Sequence, residues 1–404
     1  MYITRLLNST MTEAAAQFPA VIVTGPRQSG KTTFLQREYP FDAAYASLDD
    51  PFTREFALSD PQGFLDAFRE KTVILDEIQY VPELFPYLKV RIDQQRQRYG
   101  KWILTGSQQF QLMKNVTESL AGRIAILDLL PFSLLEFRQE GVDALESAIW
   151  NGGYPEPVLA PEKRDLWVRS YIQTYIERDV RQLQNIRDLR CFELFLGLMA
   201  AFHSQMFNAA AIAGQCGMTI PTVKSWAGVL EASWLIYQLS PWFRNYGKRL
   251  VKTPKSYFLD TALICSLTRQ PDGPSALAGA MGGALFEGLI ISETVKAFTL
   301  TGSRPDIYFW RSHDGLEVDL LIHHNGKLIP IEIKLTATPN MNHIKPLQQF
   351  KTLARADAAE TGILVCRVAQ ETPMPMKNIA MPWHKYPGWL MNTLQSSRVI
   401  ASKR

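Results

Sequence analysis

Apolar residues along this chain recur in changing rhythms. Up to about residue 131, short apolar runs at Ala20 to Val23, Ala43 to Leu48, Val73 to Leu75, Trp102 to Leu104 and Ile124 to Leu129 alternate with longer amphipathic stretches. Strands covered on both faces need such unbroken runs, so this part predicts a parallel sheet in an α/β domain. From about 132 to 205 the pattern turns helical, in SLLEFRQ, WVRSYIQTYIERDVRQL and CFELFLGLMAAF. NGGYPEPVLAP at 151 to 161 interrupts it, and its Gly and Pro residues predict an irregular connection. Residues 206 to 258 predict a winged helix-turn-helix. Asn208 caps a short helix, Gly217 makes the turn, and Thr219 caps a second helix that starts through Pro221. Two strand-like runs, WLIYQLSP and SYFLD, then flank a basic loop.

The last third alternates strictly. Residues 316 to 335 read LEVDLLIHHNGKLIPIEIKL, two period-two runs joined by Asn325-Gly326, a strong hairpin signal. With those residues as the turn, His324 faces Lys327, Asp319 faces Glu332 and Glu317 faces Lys334. Asp319, Glu332, Glu317 and Lys334 lie on one face, and Val318, Leu320, Ile322, Ile329, Ile331 and Ile333 form the other. Two opposed carboxylates repel, and a hard divalent cation reverses that cost by taking both as oxygen ligands. Lys334 could then activate water or steady a phosphate. The plainer alternative is a solvated face with a Glu317 to Lys334 pair.

Composition narrows the class without choosing a function. With 46% hydrophobic and 20% charged residues over 404 positions, the chain is folded rather than disordered and too long for one core. We expect three domains, at 1–150, 151–270 and 271–404. A net charge of +4 permits a polyanion partner without requiring one. The basic segment 244–255, with Lys248, Arg249, Lys252 and Lys255, is the candidate contact for a DNA backbone. Four cysteines lacking metal spacing suit a reducing cytoplasm, and no uncharged apolar run reaches the length of a membrane span.

The chemistry concentrates at the two ends. Residues 25 to 32 read GPRQSGKT, a complete phosphate loop between a strand and a helix, and predict ATP binding. Gly25, Pro26, Arg27, Gln28, Ser29, Gly30, Lys31, Thr32 and Thr33 form the cradle. Backbone N–H groups close on the phosphates, Lys31 reaches the outer ones, and the Thr32 hydroxyl ligates Mg²⁺. VILDE at 73 to 77 supplies Asp76 for Mg²⁺ and Glu77 to polarise the attacking water. Ser107, in the Thr105-Gly106-Ser107 strand end, is placed to touch the γ-phosphate or its water.

An extra strand between the phosphate loop and VILDE, with this carboxylate pair, resembles the AAA-like branch of P-loop ATPases. In that setting Arg27 and Arg123 are candidates to neutralise phosphate charge, Arg123 from a neighbouring copy in a homo-oligomer. The D…ExK spacing of Asp319, Glu332 and Lys334 resembles the PD-(D/E)xK restriction-endonuclease-like nucleases. That likeness implies an acidic residue on a preceding helix, where Glu287 matches and Glu293 falls on another face. Val318 stands where that family has Pro. GPRQSGKTT, VILDEIQ, LTGS, LAGR, KRLVKTPKSYFLD and LFE…EVD…IEIK together resemble a large prokaryotic family of AAA-type ATPases with a nuclease-like C-terminal domain. The resemblance implies ATP binding and a restriction-endonuclease-like fold and leaves the substrate open; with Glu287, Asp319, Glu332 and Lys334 all present, the expectation is ATP turnover coupled to a metal-dependent DNA nuclease. The alternative is an ATP-driven switch whose last domain binds DNA or a protein without cutting.

Overall fold

The structure is a computed structural model that describes residues 2–39, 43–106, 116, 118–137, 144–176, 189–243 and 253–401. The chain divides into two compact units. One comprises Met1–Phe132 with Ala232–Trp234 and Thr299–Ser303, and the other holds the remainder.

In the first unit, β1 (Ala20–Thr24), β2 (Ala44–Ser47), β3 (Val73–Asp76), β4 (Trp102–Thr105) and β5 (Ile124–Asp128) form one sheet ordered β2-β3-β4-β1-β5. Every pairing is parallel. Unbroken apolar runs suit it because helices cover the sheet: Ile22, Leu75 and Leu104 share a core with Leu84, Phe85, Leu88 and Ile92 of the helix Leu84–Gln94. Since β4 lies between β1 and β3, the carboxyl ends of these three strands sit side by side. That is where open α/β sheets bind ligands.

In the second unit, Asn208 accepts a hydrogen bond from the Ala211 N–H and starts the helix Ala209–Cys216, which Gly217 ends at φ 65. Thr219 accepts one from the Thr222 N–H at the start of the helix Ile220–Ala232. Then β6 (Ile236–Leu239) pairs antiparallel with β7 (Lys255–Phe258). Lys248, Arg249 and Lys252 of the expected basic loop lie outside the described residues.

Six strands form the last sheet: β8 (Ile307–Arg311), β9 (Glu317–His324), β10 (Lys327–Ile333), β11 (Gly362–Cys366), β12 (Thr372–Met374) and β13 (Asn378–Pro382), ordered β12-β13-β11-β10-β9-β8. β8, β9 and β10 run as an antiparallel meander, and β10, β11 and β13 are parallel. Asn325 and Gly326 both have positive φ, 51 and 71, as a two-residue type I′ turn requires. The register runs from His324↔Lys327 to Leu320↔Ile331, the pairing expected from the turn.

Two expectations fail for local reasons, and one alternative reading fails through packing. Residues 134–136 form a turn rather than a helix, because Ser133 and Glu136 side chains take the backbone N–H groups of Leu135 and Ser133. The connection at 151–161 is not irregular throughout: Pro155–Leu159 is a short helix, its proline preset for the first turn. The polar hairpin face is not solvated either. Leu321 and Leu328 pack with Ile344, Leu347 and Phe350 of the helix Met341–Ala354, and Asp319 and Glu332 are only 6% and 2% exposed.

The turn should be the most replaceable part of this hairpin sterically and the least conformationally. A Cβ at Gly326 would meet nothing within 4 Å. Gly326→Ala should therefore cost only the left-handed backbone penalty, about 1 to 2 kcal/mol. Urea unfolding measures it, and an unchanged midpoint would mean that the turn does not constrain the register.

Candidate functional site

The phosphate loop follows β1 and closes on the helix Lys31–Glu38. Gly25 is forced: at φ 139, a Cβ there would lie 2.2 Å from the Leu129 carbonyl oxygen. Gly30 caps the helix at φ 92 and Gln28 sits at φ 60, left-handed positions of the kind from which anion-binding concavities are built. Arg5, which sequence reading passed over, braces the loop. Its buried guanidinium donates to the Ser29 carbonyl at 2.9 Å and the Leu130 carbonyl at 2.7 Å, above the Phe132 ring.

Lys31 is folded back onto the loop, donating to the carbonyls of Pro26 at 2.8 Å and Gly25 at 3.1 Å. Burial lowers its ammonium to about 8, against the raising influence of the Glu77 and Asp76 carboxylates, and Arg27 adds to the lowering. The buried Ser29 hydroxyl has no partner among the described residues. A buried cation and an unsatisfied hydroxyl in an N–H-lined loop fit a phosphate.

Asp76 is held by three hydroxyls. Thr32 and Tyr45 donate to Oδ2 at 2.8 and 2.6 Å, and Thr105 donates to Oδ1 at 2.7 Å. Tyr45 reaches it along a diagonal, since Ser47 is the residue that pairs with Asp76 in β2 and β3. Neutral donors orient the carboxylate without cancelling its charge, so oxygens of Thr32 and Asp76 suit Mg²⁺. Glu77 leaves the strand in the left-handed region, φ 55 and ψ 46, and accepts a hydrogen bond from the Gln79 amide.

Arg123 is not at the loop: the pairing Ala20↔Ile124 puts it at the amino end of the sheet, about 16 Å of strand from Gly25. There its guanidinium grips Asp93 through two bonds of 2.7 and 3.0 Å. Ser107 lies outside the described residues, and the polar group observed at that strand end is Thr105.

A second cluster lies in the other unit, around β9 and β10. Lys334 Nζ bridges Asp319 Oδ2 at 2.9 Å and Glu332 Oε1 at 2.6 Å, and the Ile333 N–H also donates to Asp319. Glu287, on the helix Gly282–Leu300, accepts from Tyr257 at 2.6 Å and from Lys255 at 3.2 Å. Lys255 also pairs with Glu317. Two sequence expectations are thereby corrected. Lys255 is no exposed DNA contact but a buried counter-ion, and Glu317 is satisfied by Lys255 instead of facing off Lys334. Glu293 is elsewhere, bound to Lys296, the Ser133 hydroxyl and the Leu134 N–H.

Four carboxylates thus share two ammonium groups. Burial, then the Asp319 charge, pushes Glu287 up to about 7 against Lys255 and Tyr257. The same two causes hold Glu332 well above the carboxylate range despite Lys334. Burial would depress Lys334, but Asp319 and Glu332 together hold it above its ordinary value. Glu332 Oε2 is buried without a partner among the described residues. An all-oxygen donor set with an orphaned oxygen fits a hard cation in chemistry. Among the described residues, however, no three such side chains converge on one metal position, because the lysines hold the carboxylates in separate pairs.

Comparison with known proteins identifies a domain class over the first site and leaves the second open. Residues 17–138 match a family model described as an AAA domain, and 142–273 and 282–386 match two domains of unknown function. Uncharacterized proteins of Mycobacterium tuberculosis and Mycobacterium bovis are each 31% identical over 338 residues, 80% of this chain and 72% of theirs. One from Methanocaldococcus jannaschii is 21% identical over 361 residues, 81% of this chain and 78% of its own. Among solved structures, a Walker-type ATPase of Pyrococcus abyssi covers 65% of this chain and 94% of its own, with 15% identity and a TM-score of 0.45. No helix among the described residues is long and apolar enough to cross a membrane.

Lys31 gives a pH signature. Its folded value near 8 lies below the unfolded 10.5, so the unfolded chain holds more protons between those values and stability rises with pH across that window. Burial lowers Lys101 to about 8 as well, so the comparison must be differential. Lys31→Met should flatten part of the rise in thermal or urea midpoint between pH 8 and 10. Parallel curves for the two proteins would contradict the buried ammonium.

Proposed function

The chain belongs to one family with the uncharacterized mycobacterial proteins and carries an AAA-type P-loop ATPase domain; from that premise we propose how it turns over ATP and what its last domain does. The observation that carries the first part is Asp76, oriented by Thr32, Tyr45 and Thr105 beside the Lys31 loop. In this reading Lys31 exchanges the Gly25 and Pro26 carbonyls for the outer phosphates. Loop N–H groups and Ser29 hold the remaining oxygens. Thr32 and Asp76 hold Mg²⁺, which supplies charge compensation at the phosphates. Glu77, released from Gln79, takes the proton of the water that attacks the γ-phosphorus as the bond to the β-phosphate breaks.

For the last domain the reading is a metal-dependent phosphodiesterase site acting on DNA. The orphaned Glu332 Oε2 beside Asp319 and Glu287 supports it, and so does a basic sequence, Arg244 to Lys252, leading into β7. Asp319 and Glu332 are the proposed ligands of a divalent cation, whose contribution is to polarise the scissile phosphate. Lys334 steadies the developing charge. The β6-β7 hairpin with its two preceding helices serves as a winged-helix-like DNA contact. The alternative, a switch that binds without cutting, is favoured by one observation: Lys334 already neutralises both proposed ligands.

Separable defects test the ATPase roles. Lys31→Ala should abolish nucleotide binding in a fluorescent-nucleotide titration, and Glu77→Gln should retain binding yet lose hydrolysis by about 100-fold or more. Wild-type turnover in Glu77→Gln would remove Glu77 as the base. For the last domain, purified chain with Mn²⁺ or Mg²⁺ should nick circular or linear DNA, and Asp319→Ala should not. If neither protein cleaves while both bind DNA equally, the switch reading replaces the nuclease.

A further inference from the structure

The carboxylate cluster draws two side chains from outside the sheet that holds it. Lys255 and Tyr257 are alternate residues of β7, so they project on the same side of the β6-β7 hairpin, and both reach Glu287 Oε1. Lys255 also reaches Glu317, which keeps both carboxylates turned toward β7. On the other side Lys334 gathers Asp319 and Glu332. The cluster is therefore partitioned: Glu287 and Glu317 are drawn to one ammonium, Asp319 and Glu332 to another. Glu332 Oε2, on a residue 2% exposed, is left over and serves neither.

We propose that Lys255, positioned with Tyr257 on the β6-β7 hairpin, is a counter-ion lock that holds Glu287 away from a divalent cation bound at Asp319 and Glu332. The proposal rests on the reading of those two residues as cation ligands. Its physics is competition for one oxygen. An ammonium at 3.2 Å from Glu287 Oε1 both occupies the lone pairs that a cation would use and repels the cation itself. Glu287 is released when Lys255 withdraws, so movement of the hairpin sets the affinity of the site for metal. A lysine kept only to stabilise the fold would do the opposite: its removal would loosen the cluster and weaken metal binding. Lys255 is thus a positioning residue acting through Glu287.

Calorimetric titration of the full-length chain with Mn²⁺, without nucleotide or DNA, reads the lock directly. Lys255→Met should bind Mn²⁺ at least about tenfold more tightly than wild type, the change expected when a competing unit charge leaves. Lys255→Arg, which keeps the charge, should bind like wild type. Removing one partner of a buried pair is costly, so circular dichroism accompanies each protein. If Lys255→Met does not fold, Tyr257→Phe carries the test, since it strips one donor from Glu287 and should tighten Mn²⁺ by about threefold. Binding by wild type that is unchanged or weaker in the folded variant overturns the lock and leaves the metal site standing. No Mn²⁺ binding by any of the proteins overturns the lock and the phosphodiesterase reading together.

Discussion

A carboxylate removed from water must be compensated by something, and both candidate sites are built around that cost. Asp76 is compensated by three neutral hydroxyl donors. Hydroxyls lower the cost of burial yet leave the full negative charge, so the site keeps its attraction for a cation. Asp319, Glu332 and Glu287 are compensated by ammonium groups. Ammonium groups lower the cost by neutralising, so that attraction is weakened while the pairs hold. Carboxylates are thus compensated by dipoles at one site and by opposite charges at the other.

The loop that meets Asp76 depends on sheet geometry. Gly25 has no room for a side chain because the Leu129 carbonyl lies where a Cβ would go, and Arg5 ties the loop to Leu130 just beyond. β5 and the segment after it thereby shape the loop although they contribute no side chain to the phosphates. Insertion of β4 between β1 and β3 has a matching effect: it brings Thr105 to Asp76 from the strand between.

In the second unit the hairpin of β9 and β10 has a pairing set by its turn and a surface set by its neighbours. Helix Met341–Ala354 covers Leu321 and Leu328 on the hairpin, which keeps water from the nearby acids. The lysine neutralising Glu287 comes from β7, some thirty positions earlier in sequence. A segment whose composition suggests a solvent-facing loop therefore ends inside the protein.

By itself the sequence determined what local forces control. The five parallel strands, the Gly25 and Gly30 loop, the Asn208 and Gly217 helix ends and the Asn325-Gly326 register were all legible, because each depends on apolar period or on backbone conformations restricted to a few residue types. Tertiary structure decided the partners of polar side chains that meet across the chain. Arg123 went to Asp93 at the far end of the sheet, Lys255 to Glu287 and Glu317, and Tyr45 to Asp76 by a diagonal across two strands. Coulombic attraction and hydrogen bonding act through space between groups far apart in sequence. Their pairing follows from strand order and packing, which spacing along the chain does not encode.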